Sequence, residues 1–469
     1  MAEPDLVPSG LTLVADGNLH RREQGRLLFG GAPVRSVRLS DEGAVAVDRW
    51  IGGAPVGDGE AERRLARRLL AGGLVHPQVD PVIDVDVTVV IPVLDDESGV
   101  RRLIERLPGV SIVVVDDGST VPFRFEAPDV TIVRHDSARG PAAARMTGLD
   151  RVTTANVLFV DADIDLTVED IASLLGHFVD PEVVAVAPRV ASEPGSGLLA
   201  AYEEDFSPLD LGPVPSPVGP GRVVAFVPSA TLLLRAEVIR AEGGFDSTLR
   251  YGEDVDLIWR LAGDGRVIRY DPDVVVRHRP RSDWHAWVRQ RVAYGSSAAP
   301  LAARHGDAVA PARPPTPVLL GLGAAAIVPV RTVPGVVSAT IAVVKRRVVA
   351  AFGDEAPPEI TRGAVEHAAR TTIIALVRAW WPFTLLAACA SRRVRCRVGV
   401  VLMGVSAAEY ARSGRHIDPV RGVALRLVDH LAYGVGVWKG VVRHRSMKAL
   451  VPVVGNRGRS SSTATVSGL

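Results

Sequence analysis

The chain has 469 residues, with 54 Lys and Arg against 53 Asp and Glu, a net charge of +1 and 47% hydrophobic residues. That length accommodates two or three domains, and so neutral a balance argues against a dedicated nucleic-acid binder, because no excess of cations is available to displace phosphate counterions. Two cysteines, Cys389 and Cys396, can build neither a disulfide framework nor a four-thiolate zinc site.

The amino terminus is acidic at its start and has no apolar core behind a positive flank, so a secretory signal is not expected and a cytoplasmic start is. Residues 1–80 are expected to form a small winged-helix-like domain. Strand-like stretches at 11–14, 25–29 and 34–39 precede a capped helix start at Ser40-Asp41-Glu42, which runs through 44–50. A break at Gly52-Gly53 separates it from a second helix at 60–70, whose apolar face carries Leu65, Leu69 and Leu70.

From Val85 the pattern alternates between strands and helices, which implies a parallel sheet with crossover helices. Buried strands are predicted at 87–93, 111–115, 131–133 and 156–160, with helices at 98–107 and 142–149. Three of these strands run into polar residues at their carboxyl ends, where open α/β sheets place ligands. The catalytic domain is expected to span 85–306. Residues 307–454 form a helical, apolar region: 314–330 and 332–344 carry no charge, and 371–390 is broken only by Arg378. Each block approaches the ~20 residues needed to cross a bilayer. The reading is membrane-inserted or re-entrant helices, with buried helices of a soluble domain as the alternative. The basic runs at 345–347 and 392–397 favour an anionic membrane surface, with the catalytic domain on the cytoplasmic face of the cell membrane. The tail at 455–469, rich in Ser, Thr and Gly, is expected to be disordered.

Three acidic elements carry chemistry. In Val115-Asp116-Asp117-Gly118-Ser119 a carboxylate can accept from a base imide, and the glycine lets backbone approach a ligand; a capped turn is the plain alternative. In Val160-Asp161-Ala162-Asp163 two acids separated by one residue point the same way after an extended segment. They can share Mg²⁺ or Mn²⁺ with a substrate diphosphate and so neutralise a leaving phosphate, unless they are a solvated turn. Glu253 and Asp254 open a helix with apolar Val255, Ile258, Trp259 and Leu261. There they either complement the macrodipole or supply a general base for a hydroxyl. His278, after the strand-like 274–276, is a candidate third metal ligand, with phosphate contact or simple packing as alternatives.

In this order the motifs resemble those of family 2 glycosyltransferases, over residues 85–306. The matching pieces are Ile91-Pro92-Val93-Leu94-Asp95-Asp96-Glu97, Val114-Val115-Asp116-Asp117-Gly118-Ser119, Gly140-Pro141-Ala142-Ala143-Ala144-Arg145, Phe159-Val160-Asp161-Ala162-Asp163 and Tyr251-Gly252-Glu253-Asp254-Val255-Asp256-Leu257. The resemblance implies the nucleotide-diphosphosugar transferase (GT-A) fold, a UDP-sugar donor, and Mn²⁺ or Mg²⁺ as cofactor. It places Asp117 on uracil, Pro92 and Asp95 in the nucleoside pocket, and Arg139 and Arg145 near the diphosphate. Asp161 falls near the ribose or metal, Asp163 ligates the metal, and Asp254 is the base that deprotonates the acceptor, with Glu253 beside it. The stretch 25–50 resembles PqqD-like peptide-recognition domains, which add a peptide as a strand at a sheet edge. Taken together, the front, middle and apolar end are similar to mycofactocin-type glycosyltransferases. That similarity implies inverting transfer of glucose from UDP-glucose to premycofactocin, a peptide-derived redox cofactor, to build a β-1,4-linked oligosaccharide. A membrane polysaccharide or polyprenyl-phosphate transferase is the alternative enzyme, and a peptide-binding scaffold with an inactive transferase domain the alternative of another class.

Overall fold

The computed structural model describes residues 6–414 and 416–454 and the backbone of 464–465. It comprises two compact units, one built from the described chain up to Glu193 and from Ser207 to Pro280 together with Ala464–Thr465, the other from Pro194–Phe206 and the described chain from Arg281 to Val454. Residues 194–206 and 281–306, inside the range expected for the catalytic domain, thus belong to the second unit.

The first unit opens with strands β1 (Thr12–Ala15), β2 (His20–Arg22), β3 (Leu27–Gly30) and β4 (Arg35–Arg38), helices α1 (Asp41–Ile51) and α2 (Glu60–Gly72), and strand β5 (Val75–Gln78). Strands β2, β3 and β4 form an antiparallel sheet, while β5 pairs with β1. The Ser40 hydroxyl caps α1 by accepting from the Gly43 N–H at 3.0 Å. Buried Trp50 fixes α1 against α2: its indole N–H donates to Glu62 at 2.8 Å, and the same carboxylate oxygen holds the Gly57 N–H at 2.9 Å. Leu65, Leu69 and Leu70 enter the core together with Leu28 and Val47, as their helical spacing predicts.

The remainder of this unit is a nine-stranded sheet. Strands β6 (Val87–Val93), β7 (Ser111–Asp116), β8 (Val130–Arg134) and β9 (Asn156–Val160) are parallel, with helices α3 (Glu97–Arg106) and α4 (Pro141–Leu149) among their crossovers. Then follow β10 (Ile164–Asp165), α5 (Val168–Gly176) and β11 (Val183–Ser192). The chain leaves for α6 (Leu198–Phe206) and returns through β12 (Ser216–Pro217), β13 (Thr231–Arg235), α7 (Ala236–Ala241), α8 (Glu253–Gly263) and β14 (Val267–His278). The expectation of a parallel sheet needs correction here, because β13 runs antiparallel to both β9 and β11. Its residues Thr231, Leu232, Leu233 and Leu234 are all buried. An apolar run covered on both faces carries no mark of direction. Because β9, β6 and β7 lie side by side and parallel, their acid-bearing carboxyl ends share one edge.

The second unit is helical: α6 with α9 (Trp284–Ser296), α10 (Ala298–His305), α11 (Thr316–Ile327), α12 (Val333–Phe352), α13 (Pro358–Arg378), α14 (Trp381–Ala390), α15 (Arg392–Ala411) and α16 (Pro419–His444). Glycines bring α9 and α16 backbone to backbone: a Cβ on Gly295 would stand 2.0 Å from the Tyr433 carbonyl oxygen, and one on Gly436 2.1 Å from that of Val292. A buried polar cluster ties in α6. The Tyr202 hydroxyl donates to Asp429 at 2.8 Å, Arg291 pairs with Glu203 and Asp429, and Arg426 bonds Glu409 at 2.7 Å. Among the described residues no single helix is long and apolar enough to cross a membrane, but α13 and α14 together are, bent by 83° at their junction. The tail expected to be disordered lies outside the described residues except for Ala464–Thr465, whose backbone runs beside β4.

Candidate active site

The loop after β6 and the loop after β7 are clasped to each other. Asp95, in the left-handed region at φ 59°, donates its N–H to the Ser119 hydroxyl at 2.9 Å and accepts from the Thr120 N–H at 2.7 Å. Asp96 caps α3 through the Gly99 N–H at 3.0 Å and takes a bond from Arg279 at 3.2 Å, so the first loop is also tied to the end of β14. A Cβ on Gly99 would fall 2.2 Å from the Ala162 carbonyl oxygen. The start of α3 therefore rests directly on the turn that carries Asp161 and Asp163. Pro92 is half-buried within β6, beside Val115 of β7.

Buried Asp116 is structural. Burial pushes its carboxyl up, but the N–H groups of Ser119 and Phe123 and the Arg134 guanidinium outweigh this and hold it below its usual range. Asp117, one residue on, reaches across to α4. Its oxygens accept from the N–H groups of Arg139 at 2.9 Å and Gly140 at 2.8 Å, and His135 Nδ1 lies 2.7 Å away. Three of its roughly four acceptor positions are thereby in use. The carboxylate sets the shape of the turn into α4, at whose amino end the Arg139 side chain is exposed.

Arg145 joins the other two acidic elements. Carried by α4 and 3% exposed, it donates Nη2 to Asp161 at 2.7 Å and Nη1 to Glu253 at 3.1 Å, with its guanidinium 5.5 Å from the Phe245 ring centre. One buried cation therefore fixes the end of β9 and the first turn of α8 around itself. Glu253 is buried; Asp254 keeps part of its surface open and accepts from the Val255 N–H at 2.8 Å and from the Ser229 N–H. Burial raises both carboxyls. Glu253, also facing Asp254, is pushed up to about 7 against the pull of Arg145. Two neighbouring acids that resist sharing a double negative charge are suited to holding and releasing a proton near neutrality.

Asp163 follows Asp161 by two residues, and its carbonyl oxygen accepts from the Arg279 N–H at 3.3 Å. The Asp161 side chain is 38% exposed. Among the described residues no three His, Cys, Asp or Glu side chains gather as a ready cation site. Two hard oxygen donors do fit the common arrangement in which one or two carboxylates hold a cation and substrate phosphates complete its shell.

A family model described as Glycosyl transferase family 2 matches residues 88–233. Over 472 aligned residues the chain is 39% identical to the Pre-mycofactocin glycosyltransferase of Mycobacterium tuberculosis, in strains CDC 1551 / Oshkosh and ATCC 25618 / H37Rv, covering 96% of this chain and 98% of each relative. The chain belongs to glycosyltransferase family 2. Among solved structures, a mannosyltransferase from Pyrobaculum calidifontis in complex with GDP-Man and Mn²⁺ is 19% identical, over 77% of this chain and 89% of that one, with a TM-score of 0.41.

In this family 2 glycosyltransferase the structure brings Arg145, Asp161, Glu253 and Asp254 together, with Asp163 on the same turn as Asp161. Arg145, expected near a diphosphate, is committed to the two acids, which leaves the exposed Arg139 as the freer cation. His278 is buried and engaged on both nitrogens: Nε2 lies 2.9 Å from the Ser207 hydroxyl and Nδ1 3.2 Å from the Arg279 carbonyl oxygen. It sits opposite Ile164 in the β10–β14 pairing, one residue from Asp163. His135, Ser229 and Arg279 are absent from the sequence reading. Of these, His135, at a strand end just before Gly140-Pro141, offered the one signal that could have been used.

Proposed function

We propose that this transferase moves glucose from UDP-glucose to premycofactocin with inversion at the anomeric carbon, extending a β-1,4-linked oligosaccharide. The observation that carries the reading is the fork of Arg145 between Asp161 and Glu253, which joins a donor-side acid and an acceptor-side acid pair in one place. The full-length likeness to the Pre-mycofactocin glycosyltransferases supports the acceptor.

In this mechanism Asp254 accepts the proton of the acceptor hydroxyl as that oxygen attacks the anomeric carbon and the bond to UDP breaks. Glu253, held by Arg145, keeps a second proton acceptor beside it. Asp161 and Asp163 would hold Mn²⁺ or Mg²⁺, which when bound neutralises charge on the departing diphosphate. Pro92, Asp95 and the loop built by Asp117 would flank the nucleoside, with Arg139 beside the phosphates. The three-stranded sheet of the first 80 residues would serve as the peptide-facing module.

The test is incubation of the purified full chain with UDP-glucose, other UDP- and GDP-sugars, Mn²⁺ or Mg²⁺, and either premycofactocin or polyprenyl phosphate. Hexose addition to premycofactocin from UDP-glucose, with a β-anomeric signal by NMR, is the expected result. An α-linked product would overturn the single-displacement mechanism, and transfer to the lipid alone would overturn the acceptor.

A further inference from the structure

At the seam between the amino-terminal module and the nine-stranded sheet, both within the first unit, lies a group of arginines for which the transfer reaction has no use. Arg269, on β14, is 3% exposed, and its Nε and Nη1 have no hydrogen-bond partner among the described residues. Its strand neighbour Pro217 lies with Cδ 3.4 Å from where a Cβ on Gly73 would stand, so β14 passes just behind the carboxyl end of α2. Arg35, from β4, covers the same end: its Cδ lies 3.4 Å from a Cβ position on Gly72, and its Nε is buried without a partner among the described residues. Arg222 reaches in from the far side to the carbonyl oxygens of Ala71 at 2.7 Å and Ala32 at 3.3 Å. Arg67, on α2, completes the group.

The acid that faces them is Asp180, and its charge is already committed. Arg67 forks it at 2.7 and 2.8 Å, and the Glu182 N–H takes Oδ1 at 3.1 Å. Burial pushes Arg269 down to about 10, with Asp180 opposing and Arg67 and Arg222 adding to the effect. Arg35 and Arg222 are also lowered, by burial first and then by Arg68 and Arg35 respectively. Buried guanidinium N–H groups left unpaired are costly, and like charges without a counter-charge add to that cost. Among the described residues the seam lacks uncommitted negative charge and several acceptor oxygens at once. Donors arriving from β4, β14 and the 222 loop suit a tetrahedral oxyanion better than a planar carboxylate.

We propose that this seam is a binding site for a small oxyanion of the phosphate class, held by Arg269 and Arg35 with Arg222 at its edge, which pins the amino-terminal module to the transferase sheet.

The test uses the full chain, with phosphate titrated at ionic strength held constant by sodium chloride, and reads Tm together with phosphate bound in equilibrium dialysis. A saturable rise in Tm and one bound phosphate per chain are expected in the wild type. Arg269→Met and Arg35→Met keep the side-chain stem and remove the donors, so each should weaken binding by about tenfold or more. Asp163→Asn, altered at the other phosphate-attracting place in the molecule, should bind phosphate as the wild type does. Should Arg269→Met fail to fold, Arg35→Met at its half-buried position carries the test alone. A Tm response that chloride reproduces, or full phosphate binding by Arg35→Met, overturns the site. A phosphomonoester arm identifies the source: tighter binding than phosphate marks a phosphorylated metabolite, and equal or weaker binding marks the free ion.

Discussion

Arg145 is a buried cation with two anionic partners on different elements, and the behaviour of the neighbouring acids follows from it. Asp163→Asn should abolish metal-stimulated UDP-sugar binding, because an amide lacks the charge that holds a divalent cation. Calorimetry with and without Mn²⁺ checks it; binding stimulated as in the wild type would remove Asp163 from the ligand set. Asp254→Asn should preserve UDP-sugar affinity and slow transfer by roughly 10²–10⁴-fold, the scale of a lost general base, in single-turnover assays. The raised carboxyls of Glu253 and Asp254 also set two opposed pH dependences. Only an ionised base accepts a proton, so transfer should fall toward acid pH, where the raised Asp254 carboxyl regains its proton sooner than an ordinary aspartate. For a carboxyl raised by folding, the folded state binds the proton more tightly than the unfolded one. Its contribution to stability is present at low pH and is lost as pH rises through the folded value. Tm should therefore fall between about pH 4.5 and about pH 7, and this fall should shrink in Glu253→Gln. Equal slopes in the two proteins would show that the pair does not titrate there.

At the level of elements, the site is held by close backbone approaches as much as by side chains. A Cβ on Gly148 would lie 2.2 Å from Val90 Cγ1, which seats α4 and its Arg145 directly on β6. Gly99→Ala forces the start of α3 away from the Ala162 carbonyl; we expect a loss of about 1–3 kcal/mol in urea unfolding, the usual cost of overpacking, and weaker metal-dependent binding although no charge has changed. Strands β6, β7 and β9 are legible in the sequence, because short runs dominated by Val, Ile and Leu that lead into acids have few other readings. The direction of β13 is not, since Thr231–Arg235 presents apolar residues to both faces. Strand β5 is hidden by its brevity and by Pro77, since proline argues against a strand interior. The acids themselves stand out in the sequence, but the fork of Arg145 across separations of 16 and 108 residues does not, because nothing local to Arg145 records its partners. The arginine seam is illegible for the same reason: its members are spread from residue 35 to residue 269.

For the whole molecule, the helical unit carries apolar surface of a kind that soluble monomers rarely leave uncovered. Leu320, Ile327, Leu386 and Val400 are each two-thirds or more exposed, on helices flanked by the basic runs at 345–347 and 392–397. We expect the full chain to sediment with membranes and to resist high-salt extraction, as apolar contact does and purely electrostatic attachment does not. Full-length protein recovered only in the soluble fraction would mean that these faces pair with protein instead.

The bond from Tyr202 to Asp429 spans 227 residues of sequence. At synthesis rates of about 5–20 residues per second, roughly 10–45 s separate the emergence of α6 from that of its partner on α16. Through that interval the Tyr202 hydroxyl of the ribosome-bound chain lacks its Asp429 acceptor, although Glu203 meets Arg291 after only 88 residues. A premature stop anywhere before residue 419 would make the interval permanent. Loss of the last long helix is thus a lesion felt in the middle of the gene product, and quality-control proteases should find α6 first.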